Sequence, residues 1–157
     1  MTTRRLVIMR HAKAEGHDKP DFERELIQRG WQDAASVGEK LVAQRIVPDR
    51  LLVSTSRRTR DTLAALLPML SSDAVIELRD SLYEADVNDL RDAVRTAAGH
   101  TILLIGHNPS VHQLAFSFAG AEASAAGLGE GFPTSTAAVF SFGFAIDTIR
   151  FETLITP

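Results

Sequence analysis

The clearest pattern in the sequence is three short, continuous runs of apolar residues. They are LVIM (6–9), LLV (51–53) and TILLI (101–105), and apolar and polar residues alternate in none of them. Continuous runs of this length are typical of strands covered on both faces, as in a parallel sheet that lies between helices. We therefore expect three buried strands that run in the same direction.

Apolar residues recur at a spacing near 3.6 between and after these runs, which predicts four helices with one buried face each. The expected faces are Trp31, Ala34, Ala35, Gly38, Leu41 and Val42; Thr59, Thr62, Leu63, Leu66 and Leu67; Val87, Leu90 and Val94; and Val111, Leu114, Ala115 and Phe118. Asp86 suits the start of the third helix, with Asp89 three residues later. Asn108-Pro109 suits the start of the fourth, as a cap residue and a proline at the first helical position.

The last third of the chain combines a glycine-rich segment with two predicted strands. Residues 120–133 hold four glycines and four alanines, and we interpret them as a mobile loop, leaving open whether it acts as a lid. TAAVFSF and TIRFETL, on either side of Gly143, predict a hairpin. The whole pattern predicts a single α/β domain over residues 1–157, a three-layer sandwich with a mostly parallel central sheet flanked by helices.

Composition narrows the function classes. A net charge of −3 argues against a nucleic-acid partner, and no apolar run is long enough to span a bilayer. The first residues lack the features of a secretory signal, so we expect a cytoplasmic protein without a membrane partner. The absence of cysteine excludes cysteine-based phosphatase or protease chemistry and disulfides.

Cationic residues follow the predicted strands, where open α/β sheets bind their ligands. Arg10 and His11 follow the first run, the segment 54–58 with two arginines follows the second, and His107 follows the third. Arginine matches the geometry of phosphate oxygens, and arginines in the first turn of a helix oppose its dipole unless an anion binds there. A solvated basic face is the alternative, but the convergence of these residues at one edge favours a phosphate site.

A histidine beside a phosphate site can act as the nucleophile if one ring nitrogen is free. The unperturbed pKa is about 6.5, and neighbouring arginines should lower it, so His11 is expected to be neutral near pH 7. Attack on phosphorus would give a phosphohistidine that water hydrolyses, with arginines stabilising the transferring group. This chemistry requires no metal or other cofactor.

Five segments occur in the order and spacing of a known family: RHAKAE, DFERELIQRGWQDA, SRRTRDT, LYEA and LIGHNPSVHQLA. Over roughly Leu6 to Gly120 the chain resembles the histidine phosphatase superfamily, and within it the SixA-like phosphohistidine phosphatases. The resemblance implies a phosphoglycerate-mutase-like fold. It also implies that His11 is the phosphorylated nucleophile, that Arg10 and Arg58 bind the phosphoryl group, and that His107 completes the pocket.

The chain departs from the family pattern at a few positions. Ala12 stands where the superfamily usually has glycine, and Thr55 stands where it usually has proline. Arg24 matches an arginine that proline often follows in these small enzymes, and Glu25 replaces that proline. Glu84 is the candidate general acid; the alternative is that Glu84 is a surface residue before a helix. A phosphohistidine leaving as neutral imidazole needs little help from an acid, whereas an alkyl phosphate needs it badly.

Three other groups of residues have open interpretations. The loop GHDKPD (16–21) contains His17, Asp18 and Asp21 but matches no metal motif, so we favour a solvated loop; the alternative is that it shapes substrate access. Thr134 and Ser135 are candidates for phosphate contacts through a hydroxyl or a backbone N–H. His112 is expected on the flank or surface, and His100 is given no role.

The sequence predicts a metal-independent phosphatase that acts through a covalent phosphohistidine on His11. The resemblance implies a phosphorylated protein as substrate, such as a histidine phosphotransfer domain. A small phosphorylated metabolite or phosphomonoester remains an alternative. A mutase-like transferase is disfavoured because the chain is short, and a non-catalytic phospho-ligand binding module is disfavoured because all four expected positions are filled.

Overall fold

A six-stranded sheet forms the centre of the computed structural model, which describes residues 3–157. The strands are β1 (Arg4–Arg10), β2 (Arg50–Ser54), β3 (Val75–Arg79), β4 (Thr101–Gly106), β5 (Ala137–Phe142) and β6 (Arg150–Ile155). Their order is β3-β2-β4-β1-β5-β6. The first four strands of this order are parallel, and β5 and β6 add the predicted antiparallel hairpin.

Two pairs of helices cover the sheet. The helices are α1 (Gln28–Ala43), α2 (Arg57–Leu66), α3 (Val87–Thr96) and α4 (Ser110–Ala119). Val7 and Met9 of β1 pack in the cluster with α1 and α2, whereas Leu6 and Ile8 pack in the cluster with α3 and α4. Both faces of β1 are therefore buried, which explains why its apolar run does not alternate. The predicted sandwich of three layers is confirmed.

The start of α3 was predicted correctly and the start of α4 was not. Asp86 caps α3 and forms a reciprocal capping box with Asp89. The helix α4 begins at Ser110, after Pro109, and the predicted cap is absent: the Nδ2 of Asn108 donates to the backbone oxygen of Phe132 (2.9 Å), and its Oδ1 accepts no hydrogen bond within residues 3–157. The predicted end at Gly120 is correct.

The prediction that Trp31 belongs to the core is wrong, since 38% of its surface is exposed. The helix α1 turns Gly30 inward instead, against the carbonyl oxygen of Lys13. A Cβ at position 30 would lie 2.2 Å from that oxygen, so only glycine permits this approach. The buried face of the helix is thereby rotated away from Trp31, and Val42 at its other end is also exposed.

Two further segments differ from the sequence prediction. The strand β3 was not predicted because it lies at the edge of the sheet, where Val75, Ile76 and Leu78 remain exposed. The segment 120–133 is anchored rather than loose, because Ala123, Leu128 and Phe132 are buried in the cluster that contains α3 and α4. Across residues 3–157, no helix combines the length and the apolarity needed to cross a membrane.

Candidate active site

Three parallel strands end at the same level of the sheet. Arg10 at the end of β1 lies opposite Gly106 at the end of β4, and Val53 of β2 lies opposite Ile105. The N–H of His11 then donates to the oxygen of Gly106 (3.1 Å). The residues that follow the three strands are thus brought together, as the sequence pattern predicts.

These residues line an open cleft of about 360 Å³. Its lining comprises Arg10, His11, Asp21, Arg24, Arg58, Tyr83, Glu84, His107 and Asn108. The five residues predicted as the catalytic set are therefore in one cleft: Arg10, His11, Arg58, Glu84 and His107, whereas Thr134 and Ser135, the candidates for additional phosphate contacts, are not part of its lining. Asp21, Tyr83 and Asn108 were not predicted as site residues.

The imidazole of His11 is buried with one ring nitrogen bound and the other free. Its Nδ1 lies 2.7 Å from the backbone oxygen of Ala12, and only 6% of the residue surface is exposed. Its Nε2 has no hydrogen-bond partner within residues 3–157. Burial lowers the pKa of His11 to about 3, with smaller contributions from His107, Arg58 and Arg10, while the Ala12 carbonyl opposes the shift. The expected neutral state is supported, but burial rather than the arginines is its main cause.

The second histidine of the cleft, His107, packs beside the first. The ring centroids of His11 and His107 are 5.5 Å apart, and the Nε2 of His107 lies 2.8 Å from the Oγ of Ser54. Its Nδ1 is buried and has no partner within the part of the chain that the structure describes. Burial lowers the pKa of His107 to about 4, and Arg58 adds to the shift. Both histidines are thus neutral near pH 7.

The two adjacent arginines of α2 point to different surroundings. Arg58 lines the cleft and is 5% exposed. The Nε of Arg57 donates to the carboxylate of Asp61 (2.8 Å), which also accepts the N–H of Leu26 (3.2 Å). Arg57 therefore braces the segment before α1 and lies outside the cleft, in agreement with the choice of Arg58 from the sequence.

Asp21 is the central residue that sequence reasoning missed. Arg58 donates from Nη1 to the Asp21 backbone oxygen (2.7 Å) and from Nη2 to its Oδ2 (3.1 Å), and the hydroxyl of Tyr83 also donates to Oδ2. Arg24 donates to Oδ1 from Nε and Nη2, at 3.2 and 3.0 Å. The Tyr83 hydroxyl, followed by Arg24 and Arg58, holds the pKa of Asp21 well below its usual range.

The sequence held one signal for Asp21, its position three residues before Arg24 within the matching segment DFERELIQRG. The interpretation of residues 16–21 as a solvated loop holds for His17 and Asp18, which are exposed. Asp21 is also exposed, with 45% of its side-chain surface accessible, but the turn at residues 21–23 places it in the lining of the cleft, which was not predicted. Among residues 3–157 no three side chains of the metal-ligating types are arranged to hold a metal ion.

The backbone of the His11 loop is held from both sides. The N–H of Ala12 donates to the Oγ1 of Thr62 on α2 (3.0 Å), and the N–H of Ser135 donates to the oxygen of His11 (3.1 Å). Ser135 adopts a φ of 65°, a left-handed conformation that is unusual for a residue other than glycine. Because the N–H of Ser135 already donates to the oxygen of His11, it is not available for phosphate. The prediction that this N–H contacts phosphate is therefore wrong.

His112 lies outside the cleft. Its Nε2 is 2.6 Å from the backbone oxygen of Leu128, and its ring stacks on Phe132. These contacts attach the segment 120–133 to α4, a structural role that fits the prediction of a flank position.

Comparison with known proteins places this geometry in a family. Residues 6–100 match the histidine phosphatase superfamily (branch 1). The chain belongs to the histidine phosphatase superfamily. An uncharacterized protein of Mycobacterium tuberculosis, Rv1276c, is 34% identical over 138 residues, which cover 83% of this chain and 85% of that protein.

Two solved structures show the same fold over nearly the whole chain. A protein proposed to be the phosphohistidine phosphatase SixA of Nakamurella multipartitia is 28% identical, with a TM-score of 0.86 over 100% of this chain and 98% of that one. Its counterpart from Agrobacterium tumefaciens is 27% identical, with a TM-score of 0.87 over 98% of each chain. The SixA-like resemblance and the predicted fold are confirmed, and the chain is assigned as a phosphatase at the level of its superfamily.

Proposed function

We propose that the chain hydrolyses phosphohistidine through a covalent intermediate on His11. The Nε2 lone pair attacks phosphorus, a P–N bond forms to His11, and the bond from phosphorus to the leaving group breaks. Water then attacks phosphorus, inorganic phosphate leaves, and the electron pair returns to Nε2. The observation that carries this proposal is a neutral histidine whose Nδ1 is bound to Ala12 and whose Nε2 is free, in one cleft with two arginines.

Arg10 and Arg58 are the proposed phosphoryl-binding groups. Both line the cleft beside His11, and a guanidinium offers a planar set of donors that matches phosphoryl oxygens. The Nη1 of Arg10 donates to the oxygen of Phe132 (3.2 Å), which fixes the side chain, and its Nη2 has no acceptor in the described chain. Positive charge held in place before the reaction stabilises the transferring group without reorganisation.

His107 is the proposed third donor to the phosphoryl group. Its ring is neutral, so one nitrogen carries the proton and the other accepts. If the hydroxyl of Ser54 donates to Nε2, the proton lies on Nδ1, the buried nitrogen without a partner. A phosphoryl oxygen would satisfy that Nδ1–H, and Ser54 would thereby select the productive tautomer.

The proposed substrate class follows from the leaving group. Phosphohistidine leaves as neutral imidazole once its second nitrogen is protonated, so it does not depend on a strong general acid. A phosphorylated protein, such as a histidine phosphotransfer domain, is the proposed source, supported by the SixA proteins named above. Glu84 lines the cleft, and this observation favours hydrolysis of small phosphomonoesters as the second candidate function.

The test is release of inorganic phosphate from a phosphohistidine-bearing protein and from a simple phosphomonoester, both in EDTA. His11→Ala is expected to abolish release, while His100→Ala, an exposed histidine at the opposite end of the sheet, should leave it unchanged. Release from phosphohistidine alone supports the proposed substrate. Release from both substrates supports the second candidate function. Binding of phosphate without release from either substrate contradicts the proposal and indicates a binding module.

A further inference from the structure

The proposed phosphoryl site contains a carboxylate that is bound directly to its arginines. The cleft lining holds three guanidinium groups, of Arg10, Arg24 and Arg58, and two carboxylates, of Asp21 and Glu84. Asp21 accepts hydrogen bonds from two of the three guanidinium groups, at distances of 3.0 to 3.2 Å from its carboxylate oxygens. Asp21 therefore already accepts from Arg58, one of the two guanidinium groups proposed to bind the phosphoryl group.

Asp21 engages two of the three guanidinium nitrogens of Arg58, whose Nε is buried and has no partner within residues 3–157. Both terminal nitrogens of Arg58 donate to Asp21, to its backbone oxygen and to its carboxylate. Arg24 gives Nε and Nη2 to Asp21 and its remaining Nη1 to the backbone oxygen of Glu15 (2.8 Å). A phosphoryl group can therefore engage Arg58 only by sharing it with Asp21 or by displacing the carboxylate.

Other contacts hold Asp21 in this position. The hydroxyl of Tyr83 donates to Oδ2, and the Tyr83 ring packs edge-on against His107, with centroids 5.5 Å apart. The next residue, Phe22, packs edge-on against the Tyr83 ring at 4.9 Å. The carboxylate therefore lies in the cleft wall and is held there by several contacts, although 45% of the Asp21 side-chain surface is exposed.

We propose that Asp21 is a specificity-determining residue that limits the affinity of the cleft for free dianionic phosphate. Its negative charge offsets one of the guanidinium charges and repels a doubly charged ligand more than a singly charged one. Inorganic phosphate, the product, is thereby bound weakly and released readily. This inference rests on the proposed role of Arg58 in phosphoryl binding.

The test is the dissociation constant of inorganic phosphate, measured by calorimetry at pH 7.5 in EDTA and at low ionic strength. Asp21→Asn keeps the shape and one of the two acceptor oxygens but removes the charge, and it is expected to bind phosphate about 10-fold more tightly. Asp21→Ser should change affinity in the same direction. Asp33→Asn removes an equal charge from a surface pair with Arg29 and should leave affinity unchanged.

The direction of the change separates this proposal from a structural role. Loss of structure in the cleft would weaken phosphate binding, whereas loss of a competing anion strengthens it and lowers the inhibition constant of phosphate as product. Equal or weaker binding in both Asp21 variants, with weaker binding in Arg58→Ala, would overturn the inference and leave the proposed function standing. Unchanged phosphate binding in Arg58→Ala would overturn both this inference and the proposed role of Arg58 in phosphoryl binding, on which it rests.

Discussion

The Nδ1 of His11 lies 2.7 Å from the backbone oxygen of Ala12, the residue that follows it. A carbonyl oxygen only accepts, so Nδ1 carries the proton and the lone pair of the neutral ring lies on Nε2. The same short backbone segment that ends β1 therefore sets the tautomer of the proposed nucleophile. Ala12 is itself held by Thr62 of α2, which links the orientation of His11 to the packing of a helix.

The buried neutral histidines make the protein less stable in acid. A histidine with a pKa near 4 when folded and about 6.5 when unfolded binds more protons in the unfolded chain between these values. The free energy of unfolding should therefore fall as the pH is lowered through this window, by up to about 1.4 kcal/mol per pH unit for each such histidine.

Urea unfolding between pH 7 and 4.5, without ligand, measures this slope. In His107→Gln the decrease in unfolding free energy toward low pH should be smaller than in the unchanged protein. His100→Gln, which replaces an exposed histidine, is the control and should keep the original slope. An unchanged slope in His107→Gln would show that burial of this ring does not produce the acid sensitivity.

The neighbouring arginines of α2 allow a matched comparison. Lysine keeps the charge of Arg58 but loses the planar set of donors, so Arg58→Lys is expected to lower kcat/KM by about 100-fold. Arg57→Lys preserves the pair with Asp61 outside the cleft and should change kcat/KM by less than about 3-fold. Steady-state kinetics of both variants on one substrate measures this difference. Equal decreases in kcat/KM would contradict the assignment of Arg58 to the phosphoryl site.

Glycine at position 30 supports the loop that follows the nucleophile. A Cβ there would lie 2.2 Å from the oxygen of Lys13, so Gly30→Ala should lower the unfolding free energy by about 1–3 kcal/mol. This loss would occur although alanine favours helices. Gly16→Ala is the control, since no atom lies within 4 Å of its added Cβ. Chemical denaturation of both variants tests the contact, and a stable Gly30→Ala protein would refute it.

Glu84 can be assigned by comparing leaving groups. If its carboxyl group protonates the leaving oxygen, Glu84→Gln should lower kcat on a phosphomonoester by about 100-fold. Hydrolysis of a phosphoramidate should change by less than about 3-fold, because its leaving nitrogen is protonated by other means. Equal effects on both substrates, or no effect on either, would remove Glu84 from the list of candidate acids.

The sequence predicted those parts of the site that follow directly from strand ends. Arg10, His11 and His107 could be placed in the cleft because parallel strands end at one edge of the sheet. Arg58 could be placed because the family motif has its arginine four residues after a serine, here Ser54. Asp21 and Tyr83 could not be placed, since they reach the cleft from segments 37 and 25 residues away from Arg58 through side-chain contacts that have no periodic signature. The edge strand β3 and the exposure of Trp31 were also missed, because both depend on how the elements pack together and not on the periodicity of the sequence.

The most direct test of the account is to trap the intermediate. A single turnover of phosphohistidine substrate is quenched in alkali, and the digested protein is mapped by mass spectrometry and by ³¹P–¹⁵N NMR. The account predicts a phosphoryl group on Nε2 of His11 that forms and decays at the turnover rate, and that is absent in His11→Ala. Release of phosphate without any label on His11, or with label on Nδ1 or on another histidine, would contradict it.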